Sequence, residues 1–351
     1  MTAAPTFSDR GVVPRVTAPM ESSASAPSGG VYPPIKRLVD TLHSGDARAL
    51  ARAISLVENE APEAAALLSA CFPHTGRALR IGITGSPGAG KSTLVDRLAR
   101  HFRQSGRTVG VLAVDPTSPF TGGALLGDRI RFQDHHDDPG FYARSMATRG
   151  SLGGLALTTA DVALVVEASG KDLLLIETVG VGQDEIEIAR LADVTLVVLV
   201  PGMGDDVQSL KAGVMEIADV YVINKSEREG AHRVEQEIRA LQSLASSSSP
   251  ESWTPPIVRT VATTGHGIDA LAQTISEVEA WLLAGDRRTA RRAQHWQLRL
   301  DAMLRAELMR RARRHGLTPA ELQEHATRIA NGHEDPWQLV PQLAQRLFED
   351  K

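Results

Sequence analysis

The chain is poor in cysteine: Cys71 is the single one in 351 residues. That excludes an internal disulfide and any multi-thiolate metal site within one chain, and it suits a reducing cytoplasm. Cys71 itself reads as a small buried apolar residue. No apolar run approaches the roughly 18 residues of a membrane span. A basic surplus is missing as well, since the net charge is −4 and the pI is near 6.3. No global field therefore favours nucleic acid or an anionic membrane as partner. Residues 1–32 lack the apolar core of a secretory signal and are rich in Ala, Pro, Ser, Thr and Gly, so they read as a disordered tail. Asp9 and Glu21 among only two arginines, Arg10 and Arg15, argue against an organelle transit peptide.

What the chain does have is 42% hydrophobic residues, enough for a real core. From Val39 to Phe72 the apolar positions fall at helical spacing with a break near Pro62, a helical prefix expected to dock on the domain C-terminal to it. Apolar runs at Thr108–Val114, Asp172–Ile176, Val194–Val200, Val220–Ile223 and Ile257–Val261 read as buried strands. Helical stretches at Leu155–Ala168, Val207–Ala218 and Arg233–Ala245 separate most of them. Alternating strands and helices predict an α/β, doubly wound, mainly parallel sheet that binds ligands at the carboxyl ends of its strands.

Beyond Ile275 the pattern is helical. Trp296, Leu300, Met303, Leu304 and Leu308 form one stripe, whose partner is either the chain's own core or a second copy. Between Arg287 and Arg314, ten arginines face only Asp301 and Glu307; they read as a solvated helix face flanking an interface. His135-His136-Asp137-Asp138 has the residue types of a metal cluster, but adjacent histidines need help from elsewhere, so the stretch reads as an exposed polar loop.

The chemistry concentrates in short segments at predicted strand ends. Gly85-Ser86-Pro87-Gly88-Ala89-Gly90-Lys91-Ser92 fits G-x-x-x-x-G-K-[ST] directly after the apolar run Leu79–Ile83 and before a helix-like stretch from Thr93. In such a loop, backbone N–H groups wrap the phosphates, the lysine reaches the outer phosphates and the serine ligates Mg²⁺. Asp115 directly follows the second strand beside it, a position for a metal-shell carboxylate. Glu177-Thr178-Val179-Gly180 is an acidic version of the D-x-x-G turn, whose acid contacts Mg²⁺ through water and whose glycine N–H meets the γ-phosphate. Asn224-Lys225-Ser226-Glu227 stands where a GTPase carries N-K-x-D. A carboxylate there accepts from guanine N1–H and the 2-amino group and repels adenine, although Glu227 is one methylene longer than Asp.

Together with Val114-Asp115-Pro116-Thr117-Ser118-Pro119, Leu126-Gly127-Asp128-Arg129 and Pro201-Gly202-Met203-Gly204-Asp205-Asp206, these segments closely resemble the MeaB/ArgK family of P-loop GTPases, chaperones of adenosylcobalamin-dependent methylmalonyl-CoA mutase. The likeness runs from about Val39 into the C-terminal helices. It implies a helical segment (33–78), a P-loop GTPase domain (79–284) and a C-terminal helical dimerisation arm (285–351). It further implies a homodimer that binds GTP or GDP with Mg²⁺ and gates cofactor loading of an acyl-CoA mutase; the cytoplasm as its setting and the lack of nucleic-acid or membrane partners are expected from the cysteine content, charge and hydropathy above. Position by position, Lys91 and Ser92 would hold phosphate and Mg²⁺, Asp115 and Glu177 would belong to the metal shell, and Asp128 would position the ion and the attacking water. Asp205, Asp206 and Lys211 would lie in a third switch. Val181 occupies the place of the water-orienting Gln of Ras-like proteins and Gln183 lies further on, so intrinsic hydrolysis is expected to be slow. Two rival classes stay open: a phosphotransferase of the type once assigned to amino-acid transport, and a metal-insertion GTPase.

Overall fold

A computed structural model describes residues 33–115, 132, 135, 137–147, 154–178, 188–202, 216–245, 253–314 and 316–346. Its strands are β1 (Leu79–Gly85), β2 (Val109–Asp115), β3 (Phe141–Ala147), β4 (Leu173–Thr178), β5 (Val194–Leu199), β6 (Val220–Ile223) and β7 (Ile257–Arg259). They form one sheet in the order β3-β2-β4-β1-β5-β6-β7, and every neighbouring pair is parallel. The order reverses across β1, with β2 to β4 on one side and β5 to β7 on the other. Open α/β sheets bind ligands at the carboxyl end of such a reversal, where the connections on either side leave a crevice.

Strands β4, β5 and β6 are buried along their whole length, as a sheet covered on both faces requires. The edge strand β3 is the element that apolar-run reading overlooks. It alternates Phe141-Tyr142-Ala143-Arg144-Ser145-Met146 and is half-buried over most of its length, so it carries no continuous apolar run.

The described helices are α1 (Pro33–His43), α2 (Ala47–Glu58), α3 (Ala64–Cys71), α4 (Lys91–Gln104), α5 (Gly154–Ala168), α6 (Ala231–Ala245), α7 (Ile268–Leu283), α8 (Arg287–Arg314), α9 (Pro319–Ala330) and α10 (Pro336–Arg346). On one face Leu94 and Leu98 of α4 and Leu271 and Ile275 of α7 pack on Leu79, Ile81, Ile83 and Leu196. On the other, α5 lies on Leu112, Leu174 and Ile176, and the N-terminal helices pack over it through Leu42, Leu50, Ile54 and Leu67. Each of these fully buried side chains contributes about 1.5–3 kcal/mol by leaving water. Cys71 belongs to that second cluster, and burial pushes its thiol up to about 11, which makes it a poor nucleophile at neutral pH. Asp46 caps α2 by accepting from the Ala49 N–H at 2.7 Å, and Thr318 caps α9 by accepting from Glu321 N–H. Most of the predicted helix at Val207–Ala218 and the serine run 246–249 lie outside the described residues.

Two expectations are corrected. The arginines at the start of α8 are not a solvated face: they clamp the helix onto the amino end of the sheet. Arg292 grips Asp193 through Nε–Oδ1 at 2.7 Å and Nη2–Oδ2 at 2.6 Å, and Arg288 adds 3.3 Å to the same carboxylate. Arg291 holds Asp219 at 2.8 and 2.9 Å. Asp193 and Asp219 immediately precede β5 and β6, and their side chains are 2% and 7% exposed. Burial works against the charge on Asp193, but Arg292 and Arg288 overcome it and hold the carboxyl below the usual range. Charge counting along the chain misses this because the acids that meet the arginines lie about 70–100 positions upstream. The second correction concerns His135, which is buried, stacks on Phe141 at 4.2 Å and meets Asp96 at 3.1 Å. Asp138 is likewise taken, accepting from Nε and Nη2 of Arg103, each at 2.7 Å. Among the described residues no group of three His, Cys, Asp or Glu is placed to hold a metal.

Removing one partner of a buried ion pair strands the others, at about 3–5 kcal/mol. Asp193→Ala is therefore expected to lower the unfolding free energy by that amount in urea titrations. Arg310→Ala, which breaks the exposed Arg310–Glu307 pair at the far end of α8, should change it by about 1 kcal/mol or less.

Candidate functional site

Gly85 ends β1 with φ +129°, and a Cβ there would stand 2.1 Å from the Val198 carbonyl oxygen of β5. A side chain cannot fit, so the chain leaves the sheet pressed against the neighbouring strand. Five residues on, Gly90 takes φ +86° as the residue that caps α4, and a Cβ on it would meet the Asn224 amide nitrogen at 2.5 Å. These two glycines shape the loop between strand and helix that the motif requires.

Lys91 opens α4 and is buried. Its Nζ donates to the carbonyls of Gly85 at 2.6 Å and Ser86 at 2.9 Å, which folds the ammonium back under the loop. The Ser92 hydroxyl donates to Glu177 Oε1 at 2.6 Å. Glu177 is 4% exposed and stands opposite Ile83 in the β1–β4 register, so the sheet itself carries the carboxylate to the loop. Beside it the Thr178 hydroxyl donates to Thr84 Oγ1 at 3.2 Å.

From the other side of β1, Asn224 joins the loop. Its amide donates to the Ala89 carbonyl at 2.8 Å, and its oxygen accepts from Thr260 Oγ1 and the Ala262 N–H, both at 3.1 Å. Lys225, in the left-handed region at φ +53°, donates from Nζ to the Gly88 carbonyl at 2.7 Å. Glu227 is exposed in the same turn. Sequence reasoning misses the support behind these residues. Thr260 and Ala262 hold Asn224, and Arg97 of α4 donates to the carbonyls of Ala262 and Thr263 at 3.0 and 2.7 Å. The only local signal is the threonine-rich run of small residues after β7, Thr260 to Gly265.

The structure thus brings residues 85–92, Glu177, Asn224 and Lys225 together at the carboxyl end of the sheet, with Thr93 exposed in the first turn of α4. Asp115 is the last residue of β2, beyond Val114, which is level with Thr178 of β4; its side chain lies outside the described residues. So do Asp128, Gly180, Asp205, Asp206 and Lys211. Chemically, the cluster combines a helix N-terminus, a buried ammonium and the hard oxygen donors of Ser92 and Glu177. This set can hold a polyphosphate together with a divalent cation.

Residues 50–316 match the family model described as methylmalonyl Co-A mutase-associated GTPase MeaB. A Pyrococcus horikoshii protein provisionally named a GTPase is 51% identical over 262 residues, covering 73% of this chain and 83% of that protein. The mouse methylmalonic aciduria type A homolog, a mitochondrial protein, is 36% identical over 280 residues, covering 74% of this chain and 67% of its own. Among solved structures, a LAO/AO transport system kinase superposes with a TM-score of 0.67 at 26% identity, covering 89% of this chain and 96% of that one.

Gly85→Ala should force the loop off β5 against backbone that cannot yield. Thermal melting is expected to drop, and nucleotide affinity measured by fluorescent-GDP titration should fall at least about 100-fold, the order of cost of a strained backbone and a displaced loop together.

Proposed function

The chain belongs to the MeaB family of GTPases, and on that premise we propose that it is the G protein of an adenosylcobalamin-dependent acyl-CoA mutase, methylmalonyl-CoA mutase foremost. Its nucleotide state would gate adenosylcobalamin loading and release of damaged cofactor. The contact that carries this reading is Ser92 to Glu177 at 2.6 Å. It joins the phosphate loop to the end of β4, so whatever binds the loop acts directly on the segment after Thr178.

Ser92 and Glu177 are oxygen donors of the kind Mg²⁺ takes, with Asp115 and Asp128 proposed to complete the shell. Bound there, Mg²⁺ supplies neutralisation of charge on the β- and γ-phosphate oxygens. Lys91 would release the carbonyls of Gly85 and Ser86 and turn its ammonium to the outer phosphates. The backbone N–H groups of residues 85–93 would wrap the phosphate chain, and the N–H of Gly180 would meet the terminal phosphate. Asn224 would keep the loop against the base-binding turn, where Lys225 flanks the base and Glu227 accepts from guanine. Asp128 would orient the attacking water once a partner docks, and Asp205, Asp206 and Lys211 would transmit the nucleotide state to that partner.

A second copy is the proposed cover for α8. Leu300, Met303, Leu304 and Leu308 are exposed on it, as are Trp337 and Val340 on α10, more apolar surface on one arm than isolated chains usually show. The segment boundaries at 78/79 and 284/285 are proposed on the same grounds, since α8 begins just beyond the second of them. Among the described residues no helix is long and apolar enough to cross a membrane. The setting we propose is the cytoplasm.

With Val181 in the place of a water-orienting glutamine, hydrolysis alone should be slow and should rise at least about tenfold when the mutase is added. Phosphate release assays with and without methylmalonyl-CoA mutase read this, and equal rates would remove the client. Label from γ-³²P-GTP is expected only in free phosphate, which excludes the phosphotransferase class. Leu304→Glu should convert a dimer to a monomer in light scattering, because it puts a charge in the centre of the apolar stripe.

A further inference from the structure

Opposite the phosphate loop, at the amino end of the sheet, α8 and α5 enclose a cleft of about 390 Å³. That is within the size range of small-molecule sites. Its walls are apolar, formed by Leu157 and Leu164 of α5, by Leu191, and by Leu298 and Trp296 of α8. Among the described residues its charged lining is Arg80, Arg190, Arg292 and Arg299 with the carboxylate of Asp193.

The acids around it are already committed. Asp193 is held by Arg288 and Arg292, Glu167 by Arg80, and Asp161 by Arg299. Among these cations Arg299 lies against the aromatic wall of the cleft. Its Nε is buried without a hydrogen-bond partner, and its guanidinium lies over the Trp296 ring, 4.6 Å from the centroid. Burial pushes it below the usual arginine range despite Asp161, with Arg80 adding to the effect. His295, which also lines the cleft, is held down to about 4 by burial and then by Arg291, with Arg80 and Arg292 adding to it and Asp193 opposing. Both groups report the same local condition, a partly dry pocket in which burial works against positive charge.

We propose that this cleft is a binding site for a small amphipathic monoanion, an aryl or acyl carboxylate, whose carboxylate pairs with Arg299 while its apolar body lies against Leu164, Leu191, Leu298 and Trp296. A carboxylate beside the Arg299 guanidinium would share it with Asp161, and a charge-assisted bond in a desolvated pocket is among the stronger single contacts available. The neutral imidazole of His295 can donate a second hydrogen bond. Arg190 and Leu191 lie in the chain between Glu177, which meets Ser92, and Asp193, which anchors α8.

Titration calorimetry on the full chain with 2-naphthoate tests it, with 2-naphthylmethanol as the uncharged body of the same shape. One 2-naphthoate per chain is expected to bind saturably, at least about tenfold more tightly than the alcohol, the difference one charge-assisted contact makes. Arg299→Gln should erase that preference while leaving the alcohol unchanged. Ala160→Trp, which fills the cleft, should abolish binding of both, with circular dichroism and melting temperature as checks of the fold. If that variant does not fold, Leu298→Trp, introduced from the half-exposed side, serves the same purpose. No saturable binding by the wild type, equal affinity for the acid and the alcohol, or binding untouched by the filling variant would each overturn the proposal.

Discussion

The phosphate site depends on a single close approach, that of Gly85 to the backbone of Val198. With no side chain at Gly85, β1 can hand the chain directly into a loop that hugs β5, and α4 then starts with Lys91 and Ser92 already at the carboxyl edge of the sheet. Move that turn outward and Ser92 no longer reaches Glu177, nor does Asn224 reach the Ala89 carbonyl. The parallel register does the remainder: β4 on one side of β1 and β5 and β6 on the other deliver an acid and an amide to the two flanks of one loop.

At the opposite end of the sheet, charge does the anchoring. Asp193 and Asp219 open β5 and β6, accept backbone N–H groups of Arg80 and Thr195, and are then gripped by the first turns of α8. The same two strands thus run from the arginine clamp to the neighbourhood of the phosphate loop. This continuity gives the helical arm a rigid connection to the nucleotide end. Where the clamp ends, at Arg299, compensation thins: Asp161 and Arg299 are both pushed toward their neutral forms, chiefly by burial. The molecule therefore tolerates an ion pair weakened by burial beside an apolar cleft, and such local inconsistencies tend to mark function.

The family relationship places the chain among GTPases. The two kinds of relative differ in what their names assign, a GTPase in one case and a transport system kinase in the other, although the folds superpose. Fold alone does not choose between them. The contacts that bear on the choice are those among Lys91, Ser92 and Glu177, which belong to nucleotide binding in either reading.

Local pattern was sufficient for much of this. The phosphate loop, the strand ends carrying Asp115, Glu177 and Asn224, and the helical character of the prefix and the arm all come from short-range rules, because turns need glycine, buried strands need apolar runs and helices repeat every 3.6 residues. What sequence could not supply were pairings between distant residues. The edge strand β3 mixes polar and apolar side chains and is recognisable only beside β2. The arginines of α8 look solvated until the sheet brings Asp193 and Asp219 beneath them, and His135 looks exposed until Phe141 and Asp96 enclose it. Spacing along the chain encodes which element forms, whereas desolvation and the partners that compensate for it exist only once the elements have packed, and only the tertiary structure decides those.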